Sequence, residues 1–235
     1  MIISINQPAY LPWLGYFDRI AKSDAHVVLD HVQFEKNSMT NRNRIRTKDA
    51  EVMLTVPVRT KGRFGALPID SVKIDNTANW SKKHWNSLCQ NYAKTAFFAE
   101  HEPFFAEIYE STWECLTDLL RVCNAYLLKA LGIATPMVSS SELSPTATKS
   151  ELVQELCTKL GADTYLSGPF GRDYLDLESF EAAGICVLFH DYEHPIYKQR
   201  HAGFRPCMSV VDLLFNHGPE SLNILTGNAA TGGGQ

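Results

Sequence analysis

The first 30 residues constrain the fold most. IISI (2–5) is a short apolar run that stops at Asn6-Gln7-Pro8. LGYFDRIAKS then places Leu14, Phe17 and Ile20 at helical spacing behind Pro12, and AHVVLD (25–30) is a second strand-like run. Strand, helix and strand in so short a stretch form a βαβ unit, whose crossover makes the two strands parallel. Alternating strands and helices return over 136–190: MVSSS, then SELVQELCTKLG with Leu152, Leu156 and Leu160 at i, i+4, i+8, then TYLSG, LDLESFEAAG and ICVLFHDY. SVVDLLFNHG reads as a final helix with Ser209 near its start, and 228–235 as a disordered tail.

Between these two stretches the pattern changes. VQFEK, NRIRT, EVMLTVPVR and SVKID are short extended pieces separated by polar turns, the pattern of an antiparallel meander, with Pro57 favouring an edge. Two helical segments follow, NWSKKHWNSLCQNYAK and a longer one from His101 to Leu131, with Gly132 as a stop. The economical architecture is a single α/β domain over 1–227 with a meander-plus-helices insertion at 31–135.

Composition narrows the function classes. A chain of 235 residues, 45% hydrophobic and 20% charged, has the make-up of an ordinary globular protein and is long enough to bury its own core. The six cysteines contain no CxxC pair and fit no zinc or disulfide framework, and no metal site is expected. The start MIISINQPAY lacks the basic flank and long apolar run of a signal peptide, and no 18 apolar residues run together. A cytoplasmic protein with no membrane insertion is expected. The net charge of −4 argues against DNA binding, yet residues 36–63 carry eight cations against Asp49 and Glu51, a local +6 suited to a small anion.

Ligands of open α/β sheets bind at the carboxyl ends of the strands. That rule selects Asn6-Gln7-Pro8, Asp30, Ser139 to Ser141, Ser167-Gly168-Pro169 and Asp191. In QPAYLPWLGYFD (7–18) the polar ends of Gln7 and Tyr10 are candidates to position a substrate, against the reading that the aromatics are core. In NRNR (41–44) alternation puts Asn41 and Asn43 on one side and Arg42 and Arg44 on the other. The arginines suit phosphate or carboxylate, or else a solvated edge strand. His84 in KKHW is a general-base candidate or a packed residue beside Trp80 and Trp85. SGPFGRD (167–173) offers Ser167, Gly168 and Arg172 to an anion, though it is neither a P-loop nor a GxSxG elbow. HDYEH (190–194) has metal-ligand residue types, but Pro195 spoils helical spacing at His194.

In this order QPAYLPWLGYFD, DHVQFEK, NRNRI, KKHW, YLSGPFGRDYLD, HPIYKQ and SVVDLLFNHG resemble the WbqC-like family over Ile3 to about Gly218. NSMT before Asn41 departs from the aromatic or basic residues expected there. The resemblance implies an enzymatic role in bacterial surface-polysaccharide and glycan modification. Trp13-Leu14-Gly15-Tyr16 also stands where HUP-type nucleotidyltransferases carry HxGH, which implies a Rossmann-like (HUP-type) sheet; both histidines are replaced here.

The expected function is a transferase moving an acyl or aminoacyl group onto an anionic, nucleotide-linked sugar in O-antigen or related glycan biosynthesis. Asp30 and His84 are its acid/base candidates, and no cofactor is specified. The alternatives are a degenerate nucleotide-dependent ligase or nucleotidyltransferase, and a non-catalytic sugar-nucleotide binding or scaffold protein.

Overall fold

The computed structural model describes residues 1–63 and 65–228. Of the tail expected to be disordered, residues 229–235 lie outside the described residues.

The N-terminal unit forms as its pattern dictates: β1 (Ile2–Asn6), α1 (Leu14–Ala21) and β2 (Ala25–Val28), with β1 and β2 parallel and Ile3 opposite Ala25. The middle of the chain supplies the hairpin β3 (Arg42–Arg46) and β4 (Glu51–Thr55), followed by α2 (Trp80–Tyr92), α3 (Phe98–Glu110) and α4 (Leu116–Leu131). The chain then returns to the sheet with β5 (Met137–Ser139), α5 (Ser140–Leu143), α6 (Lys149–Lys159), β6 (Thr164–Ser167), α7 (Leu177–Ala182) and β7 (Cys186–Phe189). Helices α8 (Val210–His217) and α9 (Ser221–Leu225) close it.

The parallel sheet has five strands in the order β5-β2-β1-β6-β7. The chain therefore winds outward from β1 through β2 to β5, crosses back, and winds the other way through β6 and β7. This is Rossmann-like topology with its reversal point between β1 and β6.

Pleating sends Ile3, Ile5, Val27 and Tyr165 to one face, where Leu152, Val153 and Leu156 of α6 and Phe180 of α7 cover them. The face toward α1 is polar at its centre: Ser4 Oγ lies 2.8 Å from His26 Nδ1, and Ser23 donates to Ser4 at 2.8 Å.

Helix α4 carries the longest apolar stripe. Leu116, Leu119, Leu120, Cys123, Leu127 and Leu131 recur at three- and four-residue steps and are all buried in the larger core. Gly132 ends the helix at φ 75, a conformation that costs glycine little, and Ile133 N–H returns to Leu128 O at 2.9 Å. Each buried leucine contributes about 1.5–3 kcal/mol of transfer free energy.

The meander is shorter than its extended pieces suggest. Among the described residues only β3 and β4 form a ladder there, while Gln33 opposite Pro68 and Val58 opposite Ile74 are single bridges. Pro57 and Pro68 have no N–H to extend either pairing. The longer helical segment also divides: α3 starts at Phe98 and ends at Glu110, with Pro103 inside it, and α4 begins six residues later at Leu116.

Candidate functional site

Asp30 follows the carboxyl end of β2, and residues after the neighbouring β5 hold its carboxylate. Ser140 Oγ and Ser141 N–H donate to Oδ1, each at 2.9 Å, and Ser141 Oγ donates to Oδ2 at 2.8 Å. Ser140 is completely buried and in turn accepts from Asp30 N–H at 3.1 Å. His31 Nδ1 lies 2.6 Å from the same hydroxyl; because that hydroxyl donates to Asp30, the ring nitrogen is its donor. The serines after β5 thus fix the carboxylate at the sheet edge.

Asp30 lines a cleft of about 900 Å³, the size of a small-molecule site. Val28 and Ser139 form the sheet side of this cleft, and α4 supplies the facing wall with Thr117, Arg121, Asn124 and Lys129. Arg121 is paired with Asp118 at 3.2 Å, whereas Lys129 makes no ion pair among the described residues. Two buried polar atoms on lining residues have no partner: Tyr16 Oη and Asn124 Oδ1. Burial raises the Tyr16 pKa, so its phenol is a neutral donor, and the carbonyl oxygen of Asn124 is an acceptor. Tyr16 occupies the second histidine position of the HxGH-like segment, and no motif marks Asn124. The available signal for Asn124 is an amide inside the apolar stripe of α4.

The other sequence candidates lie elsewhere. Tyr10 is fully buried, with Oη 2.9 Å from His84 Nδ1 and 2.6 Å from Tyr109 Oη. His84 shares the buried face of α2 with Trp80, Leu88 and Tyr92, bonds the Thr55 carbonyl, and has its pKa pushed down to about 4, chiefly by burial. Its ring is neutral and occupied on both sides.

Asn41 donates to Val56 O at 2.7 Å and Asn43 to Leu11 O at 2.6 Å, both buried. On the opposite side of the strand, Arg42 bonds Asn37 and Arg44 pairs with Glu51 at 3.1 Å. Arg172 makes a two-pronged pair with Asp191 at 3.0 and 2.7 Å and lies over Phe189. These three arginines are thereby engaged within the chain.

Gln7, which follows β1, makes no side-chain hydrogen bond among the described residues, so its amide is available at the sheet edge. Ser167 is buried and donates to Gly168 O at 3.1 Å. Gln7, Asp30 and Ser167-Gly168 therefore share the carboxyl edge of three adjacent strands. Of the strand-end candidates, Asp30 lines the large cleft together with Pro8 and Ser139, whereas Gln7, Ser167 and Gly168 are not among its lining residues. In HDYEH, His190 bonds Asp18 at 2.5 Å and His194 accepts from Cys207 N–H at 3.1 Å. No group of three or more His, Cys, Asp or Glu among the described residues is placed to hold a metal ion.

The loop after β1 is fastened from every side. Ala9 O accepts from Asn124 at 3.1 Å, Tyr10 N–H reaches Met39 O at 3.2 Å, and Val210 N–H reaches Pro12 O at 2.8 Å. Between them Leu11 is held at φ 43, a strained value for a residue with a side chain. Asn43→Ala removes the donor to Leu11 O and the acceptor of Arg44 N–H. It is expected to lower stability by about 1–3 kcal/mol, read as a drop in urea midpoint at unchanged m-value; an unaltered midpoint would contradict the fastening role.

Fold and site together define a Rossmann-like α/β protein with a ligand-sized cleft at the carboxyl edge of its sheet. The chain belongs to the WbqC-like protein family, whose model matches residues 7–224. A Mycobacterium tuberculosis protein described as uncharacterized protein Rv1507c is 39% identical over 226 residues, covering 95% of this chain and 96% of its own length. No solved structure matches the chain. No helix among the described residues is long and apolar enough to cross a membrane.

Proposed function

We propose that the chain is a cytoplasmic transferase that moves an acyl or aminoacyl group onto an anionic, nucleotide-linked sugar during bacterial surface-glycan biosynthesis. The observation that carries this reading is the Asp30 carboxylate, positioned by Ser140 and Ser141 on the wall of the large cleft. A fixed carboxylate is suited to take a proton from an acceptor amine or hydroxyl. The acceptor's lone pair attacks the carbonyl carbon of an activated acyl ester or thioester, and a C–N or C–O bond forms. The bond to the leaving group breaks, and the proton passes from Asp30 to that group.

Lys129 on the facing wall offers a charge to a phosphate. Family membership supports the glycan setting. A non-catalytic sugar-nucleotide binder is the second reading, favoured by the replacement of both HxGH histidines by Trp13 and Tyr16.

Native mass spectrometry of protein purified from its own cells is expected to show a bound nucleotide sugar. Mixing that ligand with an activated acyl donor should add the acyl mass to it. Ligand capture without turnover would favour the binder, and capture of a ligand with no sugar would overturn both readings.

A further inference from the structure

We propose that Arg19 anchors an oxyanion subsite at the crevice between β1 and β6, taking a phosphate or carboxylate group against the Gly168 loop. Arg19 lies on α1 and is only 9% exposed. Its Nε is sealed from solvent without an acceptor, and its two Nη groups make no hydrogen bond or ion pair among the described residues. The adjacent acid does not pair with it: Asp18 Oδ2 takes His190 at 2.5 Å and Lys22 at 2.7 Å, and Oδ1, though unpartnered, makes no bond to Arg19. The groups acting on the guanidinium are the phenols of Tyr165, Tyr16 and Tyr174, and burial raises the pKa of each, so all three are neutral. An arginine does not give up its proton to escape burial, and a buried charge without a partner is costly. A partner for its Nη groups can only come from outside the chain, and an anion is the one that answers the charge.

Gly168 shows where that anion would sit. A β-carbon at position 168 would collide with Arg19 Nη1. The backbone there has φ −69 and ψ 166, values open to any residue, so what a β-carbon would displace is the guanidinium and not the loop. The missing side chain lets the guanidinium rise to the loop after β6. That loop flanks the reversal point of the sheet, where ligands of this topology bind.

Gln7 follows the adjacent strand with its amide unbonded, a neutral second donor. One guanidinium fork with neutral donors matches a single oxyanion. Arg172, which stands in the same loop, is committed to Asp191 and does not compete. The subsite rests on Arg19 and Gly168 alone and holds whether or not the chain is a transferase.

The test is anion titration of the full chain at constant ionic strength in Tris chloride, with thermal unfolding as readout. Inorganic phosphate forms one arm and acetate the other. Wild type is expected to show a saturable rise in Tm with at least one of them, the effective anion identifying the chemistry preferred. Arg19→Met is expected to weaken the apparent affinity at least tenfold. Gly168→Ala, which leaves the charge in place but pushes the guanidinium aside, is expected to do the same and decides the matter if Arg19→Met does not fold. A wild type that saturates with neither anion, or folded variants that respond as wild type does, would overturn the subsite.

Discussion

Asp30→Asn is expected to lower turnover by a factor on the order of 10² to 10⁴, the usual contribution of a positioned acid/base group, with KM little changed. The substitution separates chemistry from architecture. An amide oxygen still accepts from Ser140 Oγ and Ser141 N–H, and the new amide N–H₂ meets Ser141 Oγ, which rotates to accept. Folding and cleft shape should survive while proton transfer is lost. Asp30→Ala is different, because it leaves the buried Ser140 hydroxyl without its acceptor and should cost about 1–3 kcal/mol. The pair therefore distinguishes roles: inactivity in both variants with stability lost only in alanine is the expected pattern. If asparagine costs less than about tenfold, equivalent to about 1.4 kcal/mol of barrier, Asp30 is not the acid/base.

The second large effect is on stability in acid. His26 is completely buried, and burial together with the Arg19 charge pushes its pKa from the usual 6.5 down to about 3. His84 falls to about 4 through burial, partly opposed by its bond to the Thr55 carbonyl. Folding holds both rings neutral, whereas the unfolded chain takes up a proton on each near 6.5. Their contribution is intact above pH 6.5 and is lost as pH falls from there through 4 toward 3.

At pH 4.5 each ring sits two units below its unfolded value, so the pair removes about 5 kcal/mol at about 1.4 kcal/mol per unit. That approaches the whole net stability of an ordinary domain. His101 and His194 are shifted the same way, while Asp212, raised by burial, works in the opposite direction. Urea midpoints by circular dichroism at pH 7.5 and pH 4.5 should differ sharply, and His26→Gln should flatten the difference. Equal midpoints at the two pH values would mean that both rings titrate normally.

The parallel sheet was legible because its strands are apolar runs cut by glycine, proline and serine, and α4 because its leucines keep helical period. The start of α3 was not. Pro103 invites a helix beginning near His101, but Phe98, His101 and Phe105 all have partners in the core, and that packing carries the helix one turn earlier, past the proline.

At the site, strand ends gave the positions of Gln7, Asp30 and Ser167 but could not reveal who answers whom. Nothing local ties Arg172 to Asp191, Arg42 to Asn37 or Arg44 to Glu51, so residues that look ready for an anion are already engaged. Arg19 gives the reverse case. It sits between Asp18 and Lys22 in an ordinary amphipathic helix, and only the folded arrangement, with Asp18 turned to His190, leaves it alone.

The fastening of the loop after β1 bears on the order in which the molecule is completed. Residues 7–13 are made before every one of their partners, so their carbonyls and amides wait for residues 39, 43, 124 and 210. β1 itself waits for β6, its neighbour in the sheet. Such long separations make closure slow. A nascent chain that ends before β6 therefore displays an open edge at β1, and one that ends before Val210 leaves Pro12 O without its donor, so the growing chain benefits from shielding until both arrive.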